Sequence, residues 1–190
     1  RADRNDARPQ PSAQARCVSA FRAQQFPDRW EPLPPVLSGW RAVDATPFQH
    51  QGRWWLFAGV AESPFDDGGR EWNELFLFHA EDPQGPWHPH PQNPVCTDVR
   101  RARPAGPVFV HEGRLIRPGQ DCGREYGYAI VFHEITRLDP GNYSERVLGR
   151  LQPDWLHGLY GCHTYARHGE LEVLDAKRLA RRSETRGDAR

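Results

Sequence analysis

The stretch PVFVHEGRL (107–115) is a near copy of an earlier stretch, PFQHQGRWW (47–55). A third copy, HTYARHGELEVLD (163–175), carries His168-Gly169 at the equivalent place. Glycine adopts positive φ without strain, so each copy predicts a strand, a tight turn and a returning strand. The first two copies align residue for residue in the pairs Phe48/Phe109, His50/His111, Gly52/Gly113 and Arg53/Arg114.

A second hairpin is predicted after each of the first two copies. LFLFHAEDPQGPWHPH (75–90) and AIVFHEITRLDPGNYSE (129–145) each contain a strand, an Asp-Pro turn and a further strand. A four-strand unit that recurs about every 50–60 residues is typical of a β-propeller blade. The sequence therefore predicts an all-β fold of the propeller type. The repeated histidines are interpreted as turn or strand-end residues rather than as metal ligands.

Helix signals are scarce, because the chain has 17 glycines and 18 prolines and no apolar stripe of helical spacing. We predict a frayed or disordered segment at 1–15, a partial propeller domain at 16–175 and a charged tail at 176–190. Runs of β-branched and aromatic residues predict strands at 53–60, 74–80, 106–110, 113–118, 128–135 and 171–175, with a further candidate at 18–23.

Composition argues against several classes of function. Lys plus Arg and Asp plus Glu are both 25, so the chain lacks the basic excess of a nucleic-acid-binding protein. It has no apolar run of membrane-spanning length and no visible signal peptide, which predicts a cytoplasmic protein without a transmembrane segment. Methionine is absent, so we expect a fragment or a processed piece. The four cysteines form no CxxC pair and are expected to be free thiols.

Several motifs together resemble one protein family. They are FPDRWEPLPPVL (26–37), GPWHPHP (85–91), RPAG (103–106), RPGQDC (117–122) and His163-Thr164. The chain from 16 to 175 is similar to bacterial members of the family of the N-terminal domain of glucosamine inositolphosphorylceramide transferase. That family is related to the five-bladed propeller glycosidases of the arabinanase and xylosidase type.

The resemblance implies a five-bladed propeller of which about three blades fall in this chain. The earlier blades of the family carry an Asp-Pro and a Pro-Glu element toward the centre, and this sequence does not contain them. Residues 16–37 resemble the end of the blade that precedes the first complete one. The plant enzymes hold their glycosyltransferase activity in a separate C-terminal domain, so that activity does not carry over.

In a propeller the inner strands of all blades line one central channel, so residues at their ends converge. The candidate catalytic carboxylates are Asp44 and Asp121, because glycoside chemistry uses two carboxyl groups. Arginine, amide and imidazole groups can hold sugar hydroxyls or a phosphate. The candidate substrate-binding residues are Arg103, Arg117, Gln120 and His163.

Each candidate also has a purely structural interpretation. Asp44 can cap a turn, and the His163 side chain can form a hydrogen bond with the end of a neighbouring strand. Arg103 and Asp121 can form a buried ion pair, because the hairpin between them returns the chain to its start. The tryptophans Trp54, Trp55 and Trp72 can stack on a sugar, but their apolar setting favours the core. Cys122 and Cys162 lack a metal-ligand spacing, so no metal and no cofactor is predicted.

These observations predict a carbohydrate-active propeller domain in glycan or glycolipid metabolism. It would act on or bind a glycosidic or glycosyl-phosphate group, with a carbohydrate or glycolipid as ligand. The alternative is a non-catalytic sugar-binding or scaffolding propeller that serves a partner glycosyltransferase. Whether the domain is itself an enzyme stays open at this point. Three blades alone leave sheet faces and edges uncovered, so we expect self-association unless further blades of the same protein cover them.

Overall fold

Strands alone make up the regular structure of the residues that the structure describes. The computed structural model describes residues 16–60 and 73–179, and every helix or strand element in these ranges is a β-strand, which confirms the all-β prediction. In chain order the strands are β1 Cys17–Gln25, β2 Arg29–Ser38, β3 Ala42–His50, β4 Arg53–Val60, β5 Glu74–Ala80, β6 His88–Pro89, β7 Cys96–Thr97, β8 Phe109–His111, β9 Arg114–Asp121, β10 Ala129–Asp139, β11 Asn142–Leu151, β12 Leu159–Gly161, β13 Tyr165–His168, β14 Leu171–Leu174 and β15 Lys177–Arg178.

Two sheets have the blade arrangement that the repeats predict. The first sheet runs β3-β4-β5-β6, with β7 also paired to β5, and the second runs β8-β9-β10-β11. All pairings in these two sheets are antiparallel. Except for β5 and β7, the paired strands follow one another directly in the chain. Each sheet is therefore an up-and-down meander, as in a propeller blade.

The repeated His-x-Gly motif forms the turn of each inner hairpin. In the first copy Gln51 and Gly52 have φ angles of 50° and 78°, and in the second copy Glu112 and Gly113 have 50° and 74°. Two successive left-handed residues are the geometry of a type I′ turn, which matches the twist of the flanking strands. The histidine before each turn is the last residue of its strand, as interpreted from the sequence.

Three further sheets have only two strands within the described residues: β1-β2, β12-β15 and β13-β14. The strand β15 (Lys177–Arg178) lies beyond residue 175, where we placed the start of a charged tail. It pairs with β12 through Gly161 and Lys177, so this part of the predicted tail is ordered structure. The predicted segment 1–15 and residues 180–190 lie outside the described residues.

The core fills both faces of the first four-stranded sheet. On one face Trp55, Phe57 and Leu77 pack in a cluster with Tyr143 of β11. On the other face a second cluster includes Leu56 and Phe78 of this sheet together with Leu37 of β2. The sheet is covered on both sides, which explains why RWWLF and LFLF have apolar residues on both alternating faces. Trp55 is 2% exposed, as its apolar setting predicted, and Trp72 lies outside the described residues.

No helix within residues 16–60 and 73–179 has the length and apolar character that a membrane crossing requires. The cysteines Cys17, Cys96, Cys122 and Cys162 are free thiols, and all except Cys17 are buried. Burial raises the pKa of Cys162 to about 11, so this thiol is neutral at physiological pH.

Candidate functional site

A β-bulge near the start of β3 presents Asp44. Val43 pairs with Gly59 and Thr46 pairs with Phe57, so β3 has one residue more than its partner strand in this interval. Asp44 lies in the bulge with a φ of 51°, a left-handed conformation, and its carbonyl accepts a 2.9 Å hydrogen bond from the Thr46 hydroxyl. Bulges redirect side chains near functional sites. The Asp44 side chain is 36% exposed.

Arg103 meets Asp44 from the segment that leads into the second sheet. Its Nε lies 2.5 Å from Asp44 Oδ2, and its side chain is 11% exposed. The Arg103 carbonyl accepts a 2.8 Å hydrogen bond from the Gln120 amide, which fixes the segment against β9. Two of the predicted site residues, one in β3 and one in the segment before β8, are thus in direct contact.

The side chain of Tyr126, from the loop between β9 and β10, lies at the middle of this site. Arg103 Cζ and Lys177 Nζ each lie 5.0 Å from the centre of the Tyr126 ring, within the range of cation–π attraction. The His163 ring meets it edge to face at 5.4 Å. Burial raises the pKa of Tyr126, although Arg103 opposes the change. The phenol is therefore neutral and can donate a hydrogen bond at physiological pH.

His163 is oriented by Asp175. The backbone N–H groups of His163 and Thr164 each donate a 2.8 Å hydrogen bond to Asp175 Oδ1, and His163 Nδ1 pairs with Asp175 Oδ2. Burial raises the pKa of Asp175, but these N–H groups and the imidazole outweigh it, and the pKa lies below its usual value. Asp175 is thus a fixed anion that holds the ring. The Tyr126 cluster is defined here as Asp44, Arg103, Tyr126, His163, Asp175 and Lys177.

Two glycines allow the chain segments to approach closely around this cluster. Gly127 has a φ of 66°, and a Cβ at this position would lie 2.6 Å from His163 Cβ. Gly106 of the RPAG motif has a φ of 140°, and a Cβ there would lie 2.0 Å from the carbonyl oxygen of Tyr165. Any larger residue would force these segments apart. The glycines therefore bring the second sheet against the segment that carries His163.

The structure places Arg117 in a buried ion pair instead of the predicted ligand contact. Its side chain is 1% exposed, and it donates two 2.7 Å hydrogen bonds, from Nε and Nη2, to the two oxygens of Glu145. The Tyr143 hydroxyl donates a further bond of 2.5 Å to Glu145. Burial raises the pKa of Glu145, but Arg117 outweighs this and holds it at about 2. Arg117 thus joins β9 to β11, and we leave it out of the ligand contacts proposed below.

Gln120 and Asp121 are also held within the protein. Gln120 Nε2 donates a 2.8 Å hydrogen bond to the Pro104 carbonyl. Asp121 Oδ1 accepts a 2.8 Å bond from the Gly123 amide, and Asp121 Oδ2 lies 2.8 Å from a guanidinium nitrogen of Arg150. The alternative of an Arg103–Asp121 ion pair therefore needs correction, because Arg103 pairs with Asp44 and Asp121 with Arg150. The catalytic roles of Asp44 and Asp121 stay predictions.

Sequence reasoning missed three members of the Tyr126 cluster. Lys177 is the single lysine of the chain, a signal that could have selected it. Asp175 was read as the last residue of a strand, and it follows β14 directly. Tyr126 lies in the loop segment GREYGY (123–128), whose path no sequence pattern specifies.

The family model of "Glucosamine inositolphosphorylceramide transferase 1, N-terminal" matches residues 8–173. This chain belongs to that family. The curated transferase 1 of Oryza sativa subsp. japonica is 39% identical over 128 residues, which cover 66% of this chain and 16% of the relative. The Arabidopsis thaliana protein of the same name is 35% identical over 130 residues, 67% of this chain and 16% of that protein. The chain thus spans 16% of the length of these relatives.

The fold is that of the β-propeller glycosidases. The solved structure of the Bacteroides ovatus protein Xyloglucan PUL GH43B superposes with a TM-score of 0.51 at 14% identity, over 84% of this chain and 31% of that one. This likeness concerns the fold alone. Together with the family membership, it supports a carbohydrate-related role for the chain.

Proposed function

We propose that this chain is a carbohydrate-binding propeller domain, and that the Tyr126 cluster holds a phosphate-bearing sugar headgroup. The observation that carries the proposal is the position of two cations, Arg103 and Lys177, 5.0 Å from the centre of one tyrosine ring that is itself 36% exposed.

Each part of the cluster matches one part of such a ligand. Guanidinium and ammonium groups bind phosphate oxygens by charge-assisted hydrogen bonds. The Asp44 carboxylate can accept hydrogen bonds from ring hydroxyls, and the His163 imidazole can donate hydrogen bonds to them or accept hydrogen bonds from them. The name of the curated relatives refers to glucosamine and to inositolphosphorylceramide, a lipid with a phosphate-linked inositol. We therefore propose an inositol phosphate headgroup as the ligand class and a glycosyltransferase as the partner.

Calorimetric titration of the full chain tests this proposal. myo-Inositol 1-phosphate should bind more tightly than myo-inositol, glucosamine or inorganic phosphate, because only the first carries both the ring and the phosphate. Tyr126→Ala should weaken that binding by about tenfold or more, since it removes the ring that organises both cations. Tyr160→Ala is the matched control, as Tyr160 is 38% exposed on β12. Absence of binding, or equal loss in both variants, would refute the proposal.

A second candidate function is cleavage or transfer at a glycosidic bond, and the conformation of Asp44 favours it. A non-glycine residue with a φ of 51° in a bulge costs conformational energy, and such strain is concentrated at functional sites. Asp44→Asn and Asp121→Asn should then abolish turnover of a glycoside or glycosyl phosphate while the far-UV circular dichroism stays unchanged. Turnover that survives in both variants would exclude these carboxylates as the catalytic groups, and absence of turnover in the unmodified chain would leave binding as the only function.

A further inference from the structure

His163 and Asp175 form a pair of the kind that serves as a general base. The Asp175 carboxylate can only accept hydrogen bonds, so its contact through Oδ2 with His163 Nδ1 places the ring proton on Nδ1. The lone pair of the neutral imidazole then lies on Nε2, the other ring nitrogen. A carboxylate that fixes the tautomer and the orientation of a histidine is the arrangement of catalytic acid–base pairs.

Backbone contacts fix Asp175 independently of the His163 ring. Asp175 Oδ1 accepts 2.8 Å hydrogen bonds from the N–H groups of His163 and Thr164, and the Asp175 N–H donates a 3.2 Å bond to the Thr164 carbonyl. These bonds are sufficient to join the segment before β13 to the end of β14. The contact of Oδ2 with the imidazole is therefore additional. The His163 side chain is 29% exposed, so the oriented ring is open to a ligand.

His163 lies beside the Lys177 ammonium group because Gly127 lets both side chains approach. A Cβ at Gly127 would lie 3.0 Å from His163 Cγ and 3.0 Å from Lys177 Nζ, so the two side chains flank the same backbone position. Lys177 Nζ donates a hydrogen bond to the Tyr126 carbonyl, and an ammonium group has two further protons to donate. A proton acceptor and a proton donor are therefore neighbours in the Tyr126 cluster.

The cations of the cluster indicate the bond on which this pair could act. Arg103 and Lys177 each lie 5.0 Å from the centre of the Tyr126 ring. Fixed cations stabilise the negative charge that develops on phosphoryl oxygens when an oxygen attacks phosphorus. In a phosphodiester of inositol, the hydroxyl next to the phosphate is already held close to phosphorus, so the attacking group is part of the substrate.

We propose that His163 is the general base of a phosphodiester cleavage, in which a ring hydroxyl of an inositol phosphodiester attacks the phosphate beside it. His163 Nε2 takes the hydroxyl proton, the bond from that oxygen to phosphorus forms, and the bond from phosphorus to the leaving alcohol oxygen breaks. Lys177 gives a proton to the leaving oxygen, and proton exchange with water restores both residues. The products are a cyclic phosphate of the inositol and a free alcohol, without any oxidation or reduction. This inference rests on the proposed function, because it needs the phosphate-bearing headgroup at the Tyr126 cluster.

Phosphorus NMR of the full chain with glycerophospho-myo-inositol tests the reaction. This probe is a water-soluble phosphodiester that carries the headgroup without acyl chains. The cyclic phosphate of myo-inositol should appear, together with glycerol in equal amount. The analogue that lacks the hydroxyl next to the phosphate should stay intact, because it has no attacking oxygen. Cleavage of that analogue, or an unmodified chain that leaves the probe intact, would overturn the proposal.

Substitution of the histidine tests its role as the base. His163→Gln should lower kcat by about hundredfold or more, which is the scale of general acid–base catalysis, and should change KM by less than about threefold. The matched control is His111→Gln, because His111 is another partly exposed histidine beside a carboxylate, 4.0 Å from Glu112 at the end of β8. The control should keep the activity of the unmodified chain. Equal loss in both variants, or full activity in His163→Gln with an unchanged circular dichroism spectrum, would refute the assignment.

Asp175 is a positioning residue in this reaction, and a pH profile separates that role from a structural one. Protonation of the free base should reduce kcat/KM on the acid side of the profile. This acid limb should be absent in His163→Gln and should move to lower pH in Asp175→Asn, because loss of the carboxylate makes the imidazole less basic. An acid limb that is the same in Asp175→Asn as in the unmodified chain would exclude the pair.

Calorimetry separates failure of this inference from failure of the proposed function. Binding of myo-inositol 1-phosphate without any cleavage of glycerophospho-myo-inositol would refute the general base and leave the binding site in place. Absence of both binding and cleavage would refute the two proposals together.

Discussion

Two arginine–carboxylate pairs in this protein have the same chemistry and different surroundings. Arg117 and Glu145 are 1% and 8% exposed and share two parallel hydrogen bonds. Arg103 and Asp44 are 11% and 36% exposed, and the guanidinium Nε of Arg103 lies 2.5 Å from Asp44 Oδ2. A buried bidentate pair resists the approach of a ligand, whereas a partly open pair can exchange its partner. The difference indicates that the first pair stabilises the sheet and the second is the one that a ligand can reach.

The largest effect is expected when the buried pair is broken. Glu145→Gln should lower the free energy of unfolding by about 3–5 kcal/mol, because it leaves the Arg117 charge uncompensated in the core. Urea denaturation measures this change. The double variant Arg117→Met/Glu145→Leu should recover much of the loss, since it removes both charges together. A loss below about 1 kcal/mol in Glu145→Gln would show that the pair is not isolated from solvent.

Acid should destabilise the fold in two stages, first through His133 on β10 and then through Glu145 of the buried pair. Burial and the Arg117 charge lower the pKa of His133 to about 4, against a usual 6.5. The unfolded chain therefore binds more protons than the folded one between these values, and stability falls as the pH drops from 6.5 toward 4. The pKa of Glu145, about 2 against a usual 4.5, extends the loss from pH 4.5 downward.

The loss of unfolding free energy caused by His133 follows from the linkage between proton binding and folding. Each unit of difference between the folded and unfolded pKa contributes about 1.4 kcal/mol, so the loss is on the order of a few kcal/mol. Urea denaturation at pH 7, 5.5 and 4.5 measures it. The variant His133→Gln isolates the contribution of this one group, and its stability should change less over the same range. Stability that is constant or increases from pH 7 to 4.5 in the unmodified chain would contradict the assignment.

The smallest effect on stability is expected at the open pair. Asp44→Asn should change the free energy of unfolding by less than about 1 kcal/mol, because partly exposed ion pairs contribute little. The same substitution should weaken binding of myo-inositol 1-phosphate, since it alters the partner of Arg103 in the Tyr126 cluster. Parallel urea and calorimetric measurements separate the two effects. A stability loss as large as that of Glu145→Gln would remove the distinction between the pairs.

Local patterns in the sequence were sufficient to predict many of the strands, but β2 (Arg29–Ser38) was not among them. The predicted strands 53–60 and 74–80 coincide with β4 and β5, because their apolar and β-branched runs are bounded by turn residues. The His-x-Gly hairpins followed from the need for left-handed turn residues at Gly52 and Gly113. These features depend on neighbours within a few positions, which a sequence shows directly.

The site depended on contacts between distant segments, and there the sequence was less informative. The sequence suggested that Arg117 binds a ligand, because no residue near it in the chain reveals its ion pair with Glu145. That partner lies on β11, on the other side of β10. Asp44 was selected from the sequence as a candidate, but the bulge that redirects it depends on the register with β4. Tyr126 and Lys177 meet only because a loop and the late strand β15 converge. Such convergence is a property of the folded chain and has no local signature.

A crystal structure of the full chain with myo-inositol 1-phosphate is the most direct test of the central claim, that the Tyr126 cluster is the ligand site. The account predicts the phosphate within hydrogen-bond distance of Arg103 or Lys177, and the inositol ring in contact with Tyr126. Density for the ligand at another surface, with the Tyr126 cluster unchanged at saturating concentration, would contradict it.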